Sequence, residues 1–263
     1  MKLDDLEKII NKINLKNSDT VYIAGNVFNF GLNVNEVKNF CDHLYRYVEK
    51  KIKSSGNIVV PTATLNLANT NKIYNKRTTR SYMMGIFSEH IRNLKHSYRS
   101  DHPLWSFSGI GKNIKKLLDN TSVSAYGEGS VFHKLLDNNT YFISLGEPHT
   151  SIGMIHYVEH IIGVPYRYNK EFLIKVKKNN KIINQYTLLG VRFKSKNMIG
   201  DGNKKIISQL INMNTFKIYK FRRGSIYVCK YKKIIENLKL IFLKNPKIWL
   251  KNDNISQKKY YKD

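Results

Sequence analysis

The chain has 263 residues, of which 41% are hydrophobic and 12% aromatic. This content of apolar side chains fills the core of one domain of ordinary size and excludes wholesale disorder. Lys and Arg number 45 against 19 Asp and Glu, giving a formal net charge of +26, which favours anionic partners and disfavours a polycationic substrate.

Helix and strand patterns alternate through residue 162. Apolar residues three and four positions apart predict amphipathic helices, and short apolar runs that end at glycine or proline predict buried strands. The predicted helices are 4–13, 35–53, 83–94, 110–118, 130–136 and 151–162, and the predicted strands are 20–25, 58–61 and 140–145. The alternation predicts a layered α/β/α core with a mixed central sheet.

The pattern changes after residue 165. Strands are predicted at 172–176, 185–193, 216–219 and 225–231, and helices at 204–212 and 234–250, the latter broken near Pro246. The last two strands are predicted to pair as a hairpin over Arg223-Gly224. We therefore expect an α/β core over residues 1–165 and a smaller α+β portion over 166–263, with a boundary soft enough for one domain.

The basic excess is concentrated late in the chain. Residues 1–170 have a net charge of +8, and residues 171–263 a net charge of +18. A generally lysine-rich composition is the alternative cause. No apolar window reaches the roughly eighteen residues of a membrane span. The first residues include acidic side chains and do not resemble a signal sequence. We therefore expect a cytoplasmic protein. Cys41 and Cys229 make neither a disulfide framework nor a zinc set.

The densest cluster of ionisable residues is His156-x-x-Glu159-His160, inside a predicted helix. Residues three positions apart share a helix face, so His156 and Glu159 are neighbours. A carboxylate beside an imidazole fixes its tautomer and raises its basicity, which suits a general base for an amine or hydroxyl nucleophile. A solvated surface ion pair is the alternative interpretation.

Two other function classes remain open at this point. The string His156-x-x-Glu159-His160 also matches the inverted zincin motif, which requires a third zinc ligand downstream, such as Glu236. A zinc hydrolase is therefore the second hypothesis. The third, a basic binder of nucleic acid or membrane surfaces, rests on the net charge and the predicted helix 234–250. An ordinary docked helix with solvated lysines is the preferred explanation of that helix.

A polar segment precedes this cluster in the chain. Pro103 disfavours helical geometry at the residue before it, so the segment is predicted to be a loop or an extended turn. Its polar side chains are those of Arg99, Asp101, His102 and Ser106. A loop that caps the next helix is the alternative to a binding site. The sequence contains no Walker, dinucleotide-binding or RNA-binding motif.

Four stretches together resemble the aminoglycoside 3-N-acetyltransferase family, in the family's order. They are Asp19–Gly31, Gly56–Thr62 with Gly85, Arg99-Ser-Asp-His-Pro-Leu-Trp-Ser106, and Gly129-Ser130 through Thr150-Ser-Ile-Gly to His156-x-x-Glu159. The third is similar to the family's Arg-Ser-x-His-Pro-x-x-Ser. The resemblance covers roughly residues 15–165.

The resemblance implies an acyl-CoA-dependent N-acyltransferase, with acetyl-CoA or another acyl-CoA as co-substrate and no metal. It implies direct attack of an amine on the thioester, with His156 accepting the proton and Glu159 orienting His156. It also implies substrate contacts from Arg99, Asp101, His102 and Ser106. Contacts to the acyl-CoA are implied for Gly25, Asn26, Tyr82 and Gly85.

The chain departs from the family at positions that bear on its substrates. Ala24-Gly25-Asn26 stands where the family usually has His-Ser-Ser, and Ser81 and Tyr82 compete for the match to a family serine. Carboxylates are scarce in this chain, above all after residue 170. A site that binds a polycationic substrate is typically lined with carboxylates. We therefore expect a nucleotide-linked amino-deoxysugar of surface polysaccharide as acceptor, with an aminoglycoside as the alternative. We expect no nucleic-acid partner and a monomer or homodimer.

Overall fold

The structure, a computed structural model, describes residues 4–148, 151–193 and 202–251. These residues form strands β1 (Thr20–Gly25), β2 (Asn57–Pro61), β3 (Tyr74–Asn75), β4 (Tyr98–Arg99), β5 (Phe107–Gly111), β6 (Thr140–Leu145), β7 (Arg167–Lys178), β8 (Lys181–Arg192), β9 (Lys217–Phe221) and β10 (Gly224–Lys230). They form helices α1 (Asp4–Lys12), α2 (Val34–Ile52), α3 (Ile86–Arg92), α4 (Ile114–Leu118), α5 (Val131–Lys134), α6 (Ile155–Ile162), α7 (Gly202–Asn212) and α8 (Tyr231–Lys244).

The main sheet is mixed, as the sequence predicts. Its order is β4-β5-β2-β1-β6-β10-β9. The three central strands β2, β1 and β6 are parallel, and β5 and β10 flank them antiparallel. Because parallel strands end at one edge of a sheet, the turns that follow β1, β2 and β6 meet there, which is where α/β folds place their ligands.

Helices cover both faces of this sheet, which confirms the predicted α/β/α layers. Along β1, Val21 and Ile23 pack into the cluster that contains the apolar faces of α1, α2 and α3. Tyr22 and Ala24 point the other way, into the cluster formed with α5, α6 and α8. This alternation follows from the two-residue period of a strand, and a fully buried central strand keeps both sets apolar.

The chain beyond residue 165 contributes to both sheets. The hairpin of β9 and β10 joins the main sheet beside β6, so the two predicted portions share one sheet. Its turn is Arg222-Arg223, one residue earlier than predicted, with Arg222 at φ +49°. Strands β7 and β8 pair over twelve residues each and form a second sheet with β3.

Several predicted boundaries move for local reasons. The predicted helix 110–118 is shortened to α4, because Phe107–Gly111 pairs with β2 instead. The predicted helix 83–94 begins only at Ile86, after Gly85 at φ +88°. The predicted helix 234–250 is α8, which begins earlier and ends at Lys244, before Pro246. None of the described helices is long and apolar enough to cross a membrane.

Two glycines allow close backbone contacts at the edge of the sheet where the site lies. Gly25 has φ +131°, and a Cβ on it would lie 2.3 Å from the carbonyl oxygen of Leu145 on β6. A Cβ on Gly85 would lie 2.4 Å from the carbonyl oxygen of Gly25. The end of β1 therefore packs backbone against backbone with its neighbours, which only glycine permits.

We predict that Gly25→Ala destabilises the protein more than Gly163→Ala does. Both positions have positive φ, but Gly163 has nothing within 4 Å of the added Cβ. The Gly163 variant therefore carries only the left-handed backbone cost of about 1–2 kcal/mol, whereas the Gly25 variant adds overpacking of about 1–3 kcal/mol. Urea unfolding of the two variants measures the difference, and equal losses would contradict the close approach.

Candidate active site

A cleft of about 760 Å³ opens at the edge where β1, β2 and β6 end. Its floor comes from Gly25 and Asn26 after β1, and from Pro61 at the end of β2. The segment 81–86 before α3 and the segment 151–156 leading into α6 form further parts of its wall. His156, in the first turn of α6, faces this cleft.

Helix α6 brings the predicted pair together. Nδ1 of His156 lies 2.8 Å from Oε2 of Glu159, three residues on. The Glu159 side chain is fully buried, whereas that of His156 is 19% exposed. The Tyr166 hydroxyl donates to the other carboxylate oxygen of Glu159 at 2.9 Å. The alternative of a solvated surface pair does not describe these residues.

Arg167, at the start of β7, also reaches this pair. Its Nε lies 2.6 Å from Oε2 of Glu159, an ion-pair contact in which the N–H is not aimed for a hydrogen bond. Its Nη2 lies 2.9 Å from Nδ1 of His156, and its Nη1 donates to the carbonyl oxygen of Gly190 at 2.8 Å. Sequence reasoning missed Tyr166 and Arg167. They could have been found by asking what a buried Glu159 would need, because a buried carboxylate requires a cation and hydrogen-bond donors. Tyr166 and Arg167 are residues of those types that follow α6 directly in the sequence.

Burial and charge hold this cluster in one protonation state. Burial lowers the pKa of His156 to about 4, and the positive charges of Arg167 and Arg192 add to that effect against the carboxylate of Glu159. Burial raises the pKa of Glu159, but its contacts with His156, Arg167 and Tyr166 outweigh this and leave it below the usual value. Near neutral pH the cluster therefore holds a carboxylate and a neutral imidazole.

Two aromatic rings fix the plane of the His156 imidazole. Trp105 and Tyr126 meet it edge to face, with centroids 5.9 and 5.3 Å away, a favoured geometry for aromatic pairs. Within the described residues, Nε2 of His156 has no hydrogen-bond partner. Since Nδ1 is occupied by Glu159 and Arg167, Nε2 is the ring nitrogen left for a ligand.

The polar side chains of residues 99–106 lie outside the lining of the cleft, and Trp105 is the residue of this segment that lines it. The buried guanidinium of Arg99 donates to the carbonyl oxygens of Thr62 and Thr79 and to Oγ of Ser106. Asp101 forms an ion pair with Lys76 at 2.7 Å. These contacts hold a loop in place, so among the predicted substrate contacts Arg99, Asp101 and Ser106 bind other parts of the chain.

His102 likewise binds other parts of the chain. Its Nδ1 accepts hydrogen bonds from the backbone N–H groups of Leu104 and Trp105, at 3.2 and 2.9 Å. Its Nε2 lies 2.7 Å from the Thr187 hydroxyl. Both ring nitrogens are thus occupied inside the protein, and the effect of His102 on the site runs through Trp105, which lines the cleft.

The residues expected to contact acyl-CoA lie at the cleft. Gly25, Asn26 and Gly85 are in its lining. Tyr82 is 45% exposed and stands between two lining residues, Ser81 and Met83, without being in the lining itself. The side chain of Asn26 accepts from the backbone N–H of Phe28 at 3.1 Å, so it also caps its own turn.

The large positive charge of the chain is not concentrated in the cleft. Besides His156, the charged residues in its described lining are Arg80 and Glu89. Arg92 binds Glu89 through two hydrogen bonds, which with the backbone N–H of Ser81 outweigh burial and lower the pKa of Glu89 to about 2. The lysine excess is therefore weak support for a phosphate-bearing acceptor in this cleft.

The described residues contain no site that fits the zinc hypothesis. Those residues contain no group of three or more His, Cys, Asp or Glu side chains that could hold a metal ion. Cys41 and Cys229 are buried, and burial raises the pKa of Cys41 to about 12.

Helix α8, on which the hypothesis of a basic surface binder rests, buries an apolar face in the core, including Ile234 and Leu238. Thr150, part of the fourth motif, lies outside the described residues.

Comparisons with known proteins give one matching family and several similar structures. A family model described as aminoglycoside 3-N-acetyltransferase matches residues 32–239. A sequence search of curated proteins found no match. The YokD protein from Bacillus subtilis has a similar structure, with a TM-score of 0.77 at 17% identity, over 93% of this chain and all of that chain.

Two acetyltransferase structures are similar as well. One is AAC-IIIb in a binary complex with CoASH, with a TM-score of 0.78 at 14% identity, covering 97% of this chain and 99% of that chain. The other is the aminoglycoside acetyltransferase AAC(3)-Xa, with a TM-score of 0.79 at 13% identity, covering 96% of this chain and 95% of that chain.

We predict that protonation of His102 destabilises the fold in mild acid. Burial lowers its pKa from 6.5 to about 4, and a proton on Nδ1 breaks both bonds from Leu104 and Trp105. The unfolded chain binds that proton at higher pH, so the stabilisation is complete above pH 6.5 and lost between there and about pH 4. At pH 5 the loss amounts to about 2 kcal/mol.

Urea unfolding at pH 7 and pH 5 measures this loss, with His102→Gln as the control. The variant lacks the titrating ring, so its free energy of unfolding should change less between the two pH values. An equal change in the variant and the wild type would contradict the assignment to His102.

Proposed function

The chain belongs to the aminoglycoside 3-N-acetyltransferase family, and from that premise we propose that it acetylates an amino group of an aminoglycoside at the cleft that contains His156. The chain is an acyl-CoA-dependent N-acetyltransferase with acetyl-CoA as its co-substrate. The observation that carries the proposal for the site is the contact of His156 with the fully buried Glu159 beside this cleft.

The reaction is the attack of a neutral amine on the thioester carbonyl carbon. The new C–N bond forms, the C–S bond breaks, and the CoA thiolate leaves. His156 takes the proton that the amine nitrogen loses, and Glu159 stabilises the imidazolium that results. The low pKa of His156 keeps its ring neutral, and thus able to accept a proton, throughout the neutral range.

The lining of the cleft supports a co-substrate that has both amide and apolar segments. Its wall at Gly25, Gly85 and Gly153 has no side chain, so a ligand can approach the backbone there. The side chains of Phe28, Met83 and Ile86 give the cleft apolar surface, and all three are exposed. A pantetheine arm, with alternating amide and apolar segments, suits such a wall.

The family favours an aminoglycoside acceptor over the nucleotide-linked amino sugar that the net charge suggests. The described lining of the cleft also gives little to hold a nucleotide, because it has one exposed cation, Arg80. Nε of Arg80 lies 3.8 Å from Oε2 of Glu89. A pyrophosphate finds no cluster of free cations there.

The direct test is release of the CoA thiol from acetyl-CoA with acceptors of both kinds. Kanamycin-type aminoglycosides should support turnover, and dTDP- or UDP-linked amino sugars should not. Turnover with the nucleotide sugars alone would overturn the proposed acceptor while leaving the acyl transfer intact. No thiol release with any amine would overturn the activity at this site.

We predict that His156→Ala lowers kcat by a factor of about 10² to 10⁴, the usual scale for loss of a general base. Acetyl-CoA should bind the variant with nearly unchanged Kd, measured by calorimetry, because His156 forms only part of a large cleft. A variant that acetylates at the wild-type rate between pH 6 and 9 would exclude His156 as the base.

We predict a smaller loss of kcat for Glu159→Gln, since the neutral amide still accepts a hydrogen bond from Nδ1 but does not stabilise the imidazolium. The matched control is Glu89→Gln, which removes a carboxylate that lines the same cleft but contacts Arg92 instead of His156. If both variants lose activity equally and keep the wild-type pH profile, Glu159 has no special role.

A further inference from the structure

Two groups of opposite character compete for one nitrogen of His156. Nδ1 lies 2.8 Å from Oε2 of Glu159 and 2.9 Å from Nη2 of Arg167. An ionised carboxylate only accepts hydrogen bonds, and a guanidinium only donates them. Nδ1 of a neutral imidazole carries either a proton or a lone pair, so it satisfies one of the two neighbours at a time.

The choice of neighbour decides whether His156 can act as a base. When Nδ1 donates to Glu159, the lone pair is on Nε2, the nitrogen left free for a ligand. When Nδ1 accepts from Arg167, the proton is on Nε2, and that nitrogen can only donate. The same side chain in the same place is thus active or inactive according to its tautomer.

Arg167 also borders a second space. A cavity of about 180 Å³ is lined by His156, Glu159 and Arg167 together with His160 and Asn169. His156 therefore lines both this cavity and the large cleft. A polar group that enters the small cavity meets the Arg167 guanidinium next to the base.

We propose that Arg167 is a positioning residue that holds His156 in the inactive tautomer until an acceptor binds. A hydroxyl or ether oxygen of the amino sugar, seated in the small cavity, accepts the hydrogen bond of Nη2 and releases Nδ1. Nε2 then loses its proton to solvent water while Nδ1 takes one up from water and donates it in a hydrogen bond to Glu159, so that Nε2 becomes the base. This inference rests on the proposed function of His156.

The charged and titratable groups near His156 come from several elements of the fold. Glu159 is on the same helix, Arg167 and Arg192 come from β7 and β8, and the hydroxyls of Tyr126 and Tyr166 are nearby. Arg192 lowers the proton affinity of His156 by its charge but stacks on Trp249, 4.2 Å from the ring centroid. It serves as the matched control, since it has the charge without the contact to Nδ1.

The test is the ¹⁵N NMR signal of His156 in the acceptor-free protein near pH 7.5, assigned with His156→Ala. Wild type should show Nδ1 without a proton, and Arg167→Gln should show Nδ1 protonated. Arg192→Gln should leave the wild-type tautomer. Adding kanamycin with CoA, which cannot react, should move the wild-type signal to the tautomer of the Arg167 variant.

A protonated Nδ1 in the free wild-type protein would overturn the inference without any variant. So would an unchanged tautomer in Arg167→Gln, or in the presence of kanamycin and CoA. These outcomes are separable from failure of the proposed function, because they leave the loss of activity in His156→Ala as it is. Retained activity in that variant would overturn the proposed function instead.

Kinetics add a readout that a merely structural role does not move. Removing the positive charge of Arg167 raises the proton affinity of His156. Because the active form of the ring is neutral, activity is lost when His156 becomes protonated in acid. The pH at which kcat/KM falls on the acid side should therefore be higher in Arg167→Gln. We expect a shift of about one pH unit, a tenfold change in proton affinity. A lower rate with an unshifted limb would mean that Arg167 only supports the fold.

Discussion

The buried carboxylate of Glu159 is the constraint on which the site depends. A charge with no solvent contact is costly unless it is paired and hydrogen-bonded. Glu159 meets this cost with three neighbours: His156 on the same helix, the Tyr166 hydroxyl and the Arg167 guanidinium. The end of α6 and the start of β7 are thereby fixed relative to each other, and with them the position of the imidazole.

The central parallel strands supply the other half of the site. Because β1, β2 and β6 end at one edge, the glycine-lined wall and the first turn of α6 face the same cleft. The loop of residues 99–106 contributes indirectly. Arg99 ties the loop to the carbonyl oxygen of Thr62, and His102 accepts a hydrogen bond from the backbone N–H of Trp105, whose ring packs against His156. Motif residues can therefore shape a site through contacts within the chain.

Local patterns were sufficient for most of the central fold. Strand β1 is predicted with the bounds that it has, because its apolar run stops at a glycine that the chain cannot replace, and β6 is predicted equally well. The contact between His156 and Glu159 follows from their spacing on a predicted helix. Strand β5 was missed because its partner β2 is some fifty residues away, and long-range pairing overrides the helical pattern of 110–118.

The site was predictable only in part, for the same reason. The pair on one helix is local, but Arg167 reaches it from a different element, and its role depends on distances that spacing does not give. The family match favours the alternative acceptor, an aminoglycoside, over the one that the net charge suggests. Net charge is a property of the whole surface, whereas recognition depends on the few side chains in the cleft, where Arg80 and Glu89 nearly balance.

The most direct test of this account is a crystal structure with CoA and an N-acetylated aminoglycoside bound together. The account predicts the CoA sulfur in the cleft between Gly25 and His156, and the acetylated nitrogen within hydrogen-bond reach of Nε2 of His156, about 3 Å. Ligands that meet elsewhere on the protein, with Nε2 of His156 facing neither of them, would contradict it.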